Sequence, residues 1–340
     1  MSRRALPSSL PTSCEELSPR KHAHATRSVE REWLLCIARP TEKNMSKPLP
    51  LPVWDRKSGK LVRDFMDDST STYESRPRRS LTQWLESHPA YDWLLAAYQN
   101  TGFSARKIEP FIRKHSIDMS EFEEVEYRSY AEFFERRFKQ GKRSFPASPD
   151  EMGAFAEARY FGWEKVVKDQ RFPIKGHSLD AQQLLGGADR ASPFIGGPVL
   201  LVRLAPVDYH HVHYPDDGTT LEQDRLGYRL WTVNRNALQN QPDILLRNER
   251  NINILMTRNF GRLGFIEIGA LSVGRIVQVH PLDKPFTRGE EKSIFRFGGS
   301  AIAVFGEPGA WRPADDVLEK TSAGTETFLR LGDFVAKRIS

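Results

Sequence analysis

The sequence contains only two cysteines, Cys14 and Cys36, and both lie within its first fifty residues. This excludes a disulfide framework, a cysteine-based zinc site and a thiol nucleophile in the rest of the chain, and makes a reducing compartment the default expectation. The sequence also lacks the run of about 18 apolar residues that a membrane-spanning helix needs, and its start lacks the apolar core of a secretory signal. We expect any membrane contact to be peripheral.

The charge balance is moderately basic, with 50 Lys and Arg against 44 Asp and Glu and a formal charge of +6. Such a balance suits an anionic partner, but it is also common in proteins that have none. We expect an anionic lipid surface here and no nucleic acid. The 340 residues, 39% of them hydrophobic, suffice for a substantial core in one large domain or two modest ones.

Residues 1–50 are predicted to be a disordered tail, because they mix Ser, Pro, Arg and Lys with little periodicity. Their composition is also typical of an organelle transit peptide, although four acidic residues count against it: Glu15, Glu16, Glu30 and Glu32. Met45 is an alternative start, in which case the first 44 residues are not translated.

Residues 51–145 have helical patterns and predict a small N-terminal helical region. Four apolar residues recur at the spacing of one helix face: Tyr91, Leu94, Leu95 and Tyr98. Ser129 and Glu132 have the spacing of a capping box. Pro110 should kink or divide the segment 104–115. Basic residues cluster here too, which suits either solvated helix faces or an anionic membrane surface.

Residues 146–340 change to short apolar runs punctuated by Gly, Pro and Asp, which is typical of strands. The predicted strands are 199–204, 252–256, 264–268, 275–279 and the two runs around residue 300. We therefore predict an α+β fold in which the helical N-terminal region packs on a β-rich catalytic core. Strand order does not follow from these patterns.

A Gly-Gly-Ser sequence at residues 298–300 lies between two strand-like runs. Apolar residues alternate on both sides of it: Ile294 before, Ile302 and Val304 after. A glycine pair between strands is usually a bulge or tight turn. The functional interpretation is that the Ser300 hydroxyl attacks the Gly299 carbonyl, which requires a nearby base and a strained peptide.

Residues 204–218 concentrate three histidines within four positions, at 210, 211 and 213. In a strand, His211 and His213 share one face and His210 points to the other. Histidine is the usual general base near neutral pH. Metal binding and buried histidines that serve only the fold remain alternatives, although no Cys or Glu accompanies them at zinc-like spacing.

Two motifs together resemble the pyruvoyl-dependent phosphatidylserine decarboxylase family. The first is Pro-x-Asp-Tyr-His-x-x-His-x-Pro-x-x-Gly at 206–218, and the second is Phe-x-Phe-Gly-Gly-Ser at 295–300. Further stretches resemble family landmarks in the same order: 127–138, 174–179, 184–186, 248–250, 268–270, 273–274 and 288–292. The resemblance extends over roughly residues 90–335.

The resemblance implies a proenzyme that cuts itself between Gly299 and Ser300. Attack by the Ser300 hydroxyl converts the amide into an ester, and β-elimination followed by hydrolysis leaves a pyruvoyl group. This cofactor would be the blocked N-terminus of a fragment of residues 300–340. Its ketone would bind the substrate amine as a Schiff base and act as an electron sink for the carbanion that remains after CO₂ is lost.

The resemblance also implies roles for individual residues. The family's self-cleavage base falls on His213, and the histidine implicated in decarboxylation falls on His210, whereas His211 receives no role. The aspartate that completes the family's triad is missing from the stretch 153–162, where Glu157 is the only carboxylate. We expect Glu157 to replace it, because a longer acid can still orient His213.

Three functions follow as hypotheses. The first is a decarboxylase that forms phosphatidylethanolamine from phosphatidylserine, bound peripherally to an anionic membrane on the cytoplasmic side. The second keeps the chemistry but acts on a soluble, for example aromatic, amino acid in the cytoplasm. The third is an uncleaved, non-catalytic relative, although such a protein has no chemical need for Gly299, Ser300, His210 and His213 together. A homodimer is typical of the family.

Overall fold

The computed structural model describes residues 53–62, 89–167, 170, 172–174, 177–227, 249–269, 276–296 and 300–339. These residues belong to one compact unit. The predicted disordered tail, Met45 and the Gly298–Gly299 pair lie outside the described residues. No helix in the described ranges has the length and apolar character needed to cross a bilayer.

Short helices occupy the N-terminal part and the connections between strands. They are α1 (Pro89–Gln99), α2 (Ile108–His115), α3 (Tyr130–Phe134), α4 (Ala181–Leu185), α5 (Ala188–Ala191) and α6 (Asp315–Ser322). Within the described ranges, three 3₁₀ turns accompany them, at Gly102–Lys107, Met119–Glu121 and Ser192–Phe194.

Strands make up most of the remaining structure. They are β1 (Val53–Asp55), β2 (Lys60–Val62), β3 (Glu151–Gly153), β4 (Ala158–Trp163), β5 (Phe172–Ile174), β6 (His177–Leu179), β7 (Val199–Leu204), β8 (His211–His213), β9 (Gly218–Leu226), β10 (Arg250–Thr257), β11 (Arg262–Ile268), β12 (Ile276–Gln278), β13 (Glu291–Phe295), β14 (Ser300–Gly306), β15 (Trp311–Pro313), β16 (Glu326–Leu329) and β17 (Phe334–Arg338). The predicted α+β class is confirmed.

A nine-stranded sheet with the order β2-β1-β16-β4-β7-β14-β11-β10-β9 forms the centre of the molecule. β14 lies inside it, antiparallel to both β7 and β11. Three smaller sheets accompany it in the part of the chain that the structure describes, with the orders β12-β13-β8, β15-β17-β3 and β5-β6. The strand that begins at Ser300 is therefore paired on both edges, which fixes its position within the sheet.

The large sheet has a hydrophobic cluster on each face. Along β14, Ile302 and Val304 belong to one cluster, and Ala301, Ala303 and Phe305 belong to the other. Because side chains alternate between faces along a strand, Ser300 shares the face of Ile302 and Val304. The small sheet of β12, β13 and β8 contributes Val212, Tyr214, Ile276 and Phe295 to that same cluster.

The predicted strands are confirmed, with ends shifted by a few residues, but two details of the N-terminal region differ from expectation. Residues 53–62 form a hairpin, β1 and β2, and β1 joins the large sheet beside β16. The short segment carries too little pattern to reveal this pairing, because its partner lies far along the chain. In addition, Leu94 and Tyr98 on the predicted apolar face of α1 are exposed.

Two local predictions in the helical region concern the break at Pro110 and the cap at Ser129. Pro110 lies in the first turn of α2, and the preceding 3₁₀ turn ends at Lys107, so the predicted division is confirmed. Ser129 caps α3 by accepting a hydrogen bond from the Glu132 backbone. The capping box is modified, because the Glu132 carboxylate accepts from the backbone N–H of Arg128, at 2.7 Å, rather than from Ser129.

Candidate active site around Ser300

Ser300 is the first residue of β14 and pairs with Leu204 at the end of β7. Its side chain is fully buried, and its Oγ has no hydrogen-bond partner among the described residues. A buried hydroxyl without a partner costs free energy, roughly 1–3 kcal/mol. The position therefore holds a hydroxyl group that is shielded from solvent and has no hydrogen-bond partner within the described ranges.

His210 lies at the same end of β7 as Ser300. Its Nε2 is 3.1 Å from the carbonyl oxygen of Ala205, the residue that follows Leu204. The imidazole stacks on Phe134 of α3, with ring centroids 3.9 Å apart. The helical region thus contacts His210, whose ring lies beside Ala205, the residue after the end of β7 that pairs with Ser300.

Two buried arginines hold the loop that carries His210. Arg159 forms an ion pair with Asp208, whose carboxylate also accepts from the backbone N–H of Ala205. Arg136 donates through Nη2 to the carbonyl oxygens of Val207, at 2.6 Å, and Asp208, at 3.1 Å. Burial raises the pKa of Asp208, and the charge of Arg159 opposes this shift. The loop is held by charged hydrogen bonds from two separate elements.

His211 has a structural partner on each ring nitrogen. Its Nδ1 lies 2.7 Å from the Glu291 carboxylate, and its Nε2 lies 3.0 Å from the carbonyl oxygen of Glu135. Burial alone would raise the pKa of Glu291, but hydrogen bonds from His211 and Arg137 outweigh burial and lower it to about 2. These contacts tie β8 to β13 and α3, and they occupy both nitrogens of the imidazole.

His213 shares the outer face of β8 with His211. Its Nδ1 lies 2.9 Å from the carbonyl oxygen of Gly289, so in the neutral ring Nδ1–H donates and Nε2 carries the lone pair. The Tyr209 hydroxyl is 3.4 Å from that Nε2. Burial lowers the pKa of His213. The side chain is therefore held neutral, with the basic nitrogen that a proton acceptor needs.

Glu157 is bound to an arginine rather than to a histidine. Arg143 donates to its carboxylate from Nε, at 2.6 Å, and from Nη2, at 2.9 Å, and the backbone N–H of Leu331 donates at 3.2 Å. Within the described ranges, no hydrogen bond joins Glu157 to His213. The carbonyl of Gly289 occupies the position next to Nδ1 that a triad acid would take, so an orienting role for Glu157 stays a prediction.

The predicted site residues fall into two groups in adjacent parts of the structure. One group is Ser300 and His210, and the other is His213 and Glu157. Arg143, which holds Glu157, packs over the Phe138 ring at 3.9 Å, and Phe138 contacts Tyr209, which contacts His213. Tyr209 precedes His210 in the chain, so the same loop borders both groups. Sequence reasoning missed Phe134, Arg136 and Arg159, since only tertiary packing brings them to this loop. Asp208 was visible within the histidine motif.

A family model described as phosphatidylserine decarboxylase matches residues 130–329. The chain is similar to curated proteins named phosphatidylserine decarboxylase proenzyme. One from Ruminiclostridium cellulolyticum is 34% identical over 73% of this chain and 84% of the relative. One from Desulfitobacterium hafniense is 30% identical over 81% of this chain and 98% of the relative. A protein named phosphatidylserine decarboxylase proenzyme 2, from Clostridium acetobutylicum, is 33% identical over 76% of this chain and 88% of the relative.

Proposed function

The chain belongs to the phosphatidylserine decarboxylase family, and we propose that it is a self-processing enzyme that converts phosphatidylserine into phosphatidylethanolamine and CO₂. The observation that carries this proposal is the buried Ser300 hydroxyl, which has no described partner and lies at the strand end that also holds His210. A hydroxyl placed in this way is available for reaction and shielded from water.

We assign self-cleavage to the bond between Gly299 and Ser300. Among the described residues no contact joins His213 to Ser300, so its role as the base rests on the family resemblance. In this proposal His213 accepts the hydroxyl proton, and the Ser300 oxygen attacks the Gly299 carbonyl, so that the amide becomes an ester. β-Elimination then releases the Gly299 carboxylate, and water replaces the nitrogen, which leaves as ammonia. The buried neutral state of His213 suits the first step, because only the neutral imidazole accepts a proton.

The site fits the pyruvoyl group that this reaction leaves at residue 300, since the position is buried and bordered by Leu204 and the His210 loop. When present, that group supplies a ketone that holds the substrate amine and accepts the electrons released with CO₂. His210 is placed to deliver a proton at this end of β7. Phe134 and the Ala205 carbonyl hold its ring in one orientation.

A surface of the helical region supports a peripheral contact with an anionic membrane. Leu94, Tyr98 and Phe103 are exposed, and Phe103 retains 68% of its accessible area. Arg106 and Lys107 lie over the rings of Phe103 and Tyr98, at 5.3 and 4.4 Å from the centroids. Apolar side chains interleaved with cations suit the interface of an anionic leaflet. We place this surface on the cytoplasmic side; a homodimer remains a prediction.

The substrate assignment is tested by incubating the purified protein with phosphatidylserine vesicles and, separately, with free aromatic amino acids while released CO₂ is measured. We expect CO₂ from the vesicles alone and none with Ser300→Ala. Release from free amino acids alone would replace the lipid by a soluble substrate. A single full-length band on a denaturing gel of mature protein would contradict both enzymatic functions and leave a non-catalytic relative.

A further inference from the structure

A buried ion pair lies on the face of the large sheet that also carries the Ser300 side chain. The Lys292 Nζ lies 2.9 Å from Glu267 Oε2, and both side chains are almost fully inaccessible to solvent. Desolvation of two charges largely cancels their attraction, so a buried pair is weak evidence for stability. Charged groups in such a place suit the recognition of a charged or strongly polar ligand.

The register of the sheet places Glu267 close to Ser300. Glu267 on β11 pairs with Ile302, two residues along β14 from Ser300. Phe265 and Leu263 on β11 belong to the same cluster as Ile302, so Glu267 points to that face as well. Diagonal neighbours on one face lie about 7–8 Å apart, and their Cβ atoms are somewhat closer. A substrate held at residue 300 therefore lies within reach of the Glu267 carboxylate.

The Glu267 carboxylate is held in one orientation by several donors. Besides Lys292, the Ser293 hydroxyl donates to Oε1, and Gln278 Nε2 donates to Oε2 at 2.7 Å. Asn253 Nδ2 is a weaker partner at 3.4 Å. Gln278 also accepts from Lys292 through its Oε1, at 2.8 Å. The carboxylate is thus pre-organised, and binding at it requires little loss of side-chain entropy.

A polar cleft at the surface borders this network. It has a volume of about 310 Å³ and is lined by Gln223, Asp224, Arg225, Asn251, Ile276 and Gln278. Gln278 lines the cleft and hydrogen-bonds to Glu267, so its side chain separates solvent from the buried carboxylate. Asn251 pairs directly with Glu267 across β10 and β11. Polar side chains therefore continue from the cleft to the interior beside Ser300.

We propose that Glu267 binds the amino group of the substrate, which enters through this cleft, and directs its nitrogen toward the carbonyl at residue 300. The assignment rests on the proposed function and names the residue that receives the primary amine of an amino acid, free or as a lipid head group. An N–H of the amine donates to the carboxylate. Burial of this position disfavours a cation, so the ammonium releases its proton to solvent before it enters, and the nitrogen arrives with its lone pair.

The test compares Glu267→Gln with the matched control Glu326→Gln. Like Glu267, Glu326 is a buried carboxylate in an ion pair, but its partner is an arginine, Arg203. Arg203 pairs with Arg159 and Ala301 in the sheet and so lies on the face opposite to Ser300. Self-cleavage is followed on a denaturing gel, and the carbonyl at residue 300 is titrated with hydroxylamine. Reductive trapping with cyanoborohydride, read as the mass of fragment 300–340, then reports amine binding without turnover. One arm uses phosphatidylserine vesicles and the other free L-phenylalanine.

We expect Glu267→Gln to cleave and to react with hydroxylamine like the wild type. It should need about 10- to 100-fold more substrate for half-maximal trapping, the loss expected for one hydrogen bond to a charged group. Glu326→Gln should trap the amine as the wild type does. An unchanged concentration dependence in Glu267→Gln, in the arm where the wild type reacts, would overturn the assignment.

A second variant covers the case in which Glu267→Gln fails to fold because Lys292 is left without its counter-charge. Glu267→Gln combined with Lys292→Met removes both charges and should show the same loss of trapping. If the double variant traps the amine at the same substrate concentration as the wild type, the role of Glu267 is refuted, whereas the proposed function is not. A wild-type chain without a carbonyl at residue 300 would instead refute the proposed function, and the assignment would fall with it.

Discussion

The imidazole of His210 lies almost flat against the ring of Phe134, with the ring planes 24° apart. Phe134 comes from α3 in the helical region, whereas His210 comes from the loop between β7 and β8. This contact, together with the Ala205 carbonyl at Nε2, sets the direction in which the imidazole faces. The helical region therefore contributes to the site and is more than a cover for the sheet.

Phe134→Leu should lower the rate of decarboxylation roughly two- to tenfold, the range expected from losing one aromatic stacking contact. The substitution keeps an apolar side chain but removes the flat surface that orients His210. Initial rates of CO₂ release measure the effect. Phe133→Leu is the matched control on the same helix, since Phe133 is also buried but is not stacked on His210. Equal losses in both variants would contradict an orienting role for Phe134.

Asp208→Asn should destabilise the protein by about 3–5 kcal/mol, because it leaves the charge of Arg159 buried without its partner. It should also slow self-cleavage, since the loop carrying His210 loses its anchor. Thermal unfolding and the appearance of fragments on a gel report the two effects. Asp315→Asn breaks an exposed pair with Arg312 and should change stability by no more than about 1 kcal/mol. Similar melting temperatures for both variants would refute the anchoring role.

Glu157→Gln should slow self-cleavage roughly tenfold if the carboxylate stabilises the imidazolium of His213 through its charge. Arg143→Met removes the guanidinium that holds Glu157 but leaves the acid in place. Cleavage time courses of the two variants, each purified as precursor, separate the roles. We expect Glu157→Gln to be the slower one. Equal rates would mean that Glu157 serves the fold by binding Arg143 and that the Gly289 carbonyl alone orients His213.

The pH dependence of self-cleavage should follow the depressed pKa of His213. The free imidazole titrates at about 6.5. Because burial favours the neutral, proton-accepting form, the cleavage rate should fall as the pH is lowered, with a midpoint below about 6.5. Rates measured on freshly refolded precursor give this profile. A midpoint above the ordinary value for histidine would contradict His213 as a buried neutral base.

The sequence predicted the elements of the site better than their contacts. The strands on both sides of residue 300 follow from local alternation, and the Ser129 cap and the Pro110 break follow from local backbone chemistry. The ion pair of Glu157 with Arg143 and the pair of Glu267 with Lys292 depend on long-range packing. No periodicity encodes such pairs, because each partner is brought into place by a different element.

We propose that Ser300 becomes a pyruvoyl group, and the mass of the purified wild-type protein reports this conversion. We predict two chains, the smaller one comprising residues 300–340, blocked to Edman degradation and lighter than the peptide with an N-terminal serine by the mass of one ammonia. Ser300→Ala should give a single chain of full mass. A wild-type protein that remains uncleaved, or a fragment that retains an N-terminal serine, would contradict pyruvoyl formation at Ser300.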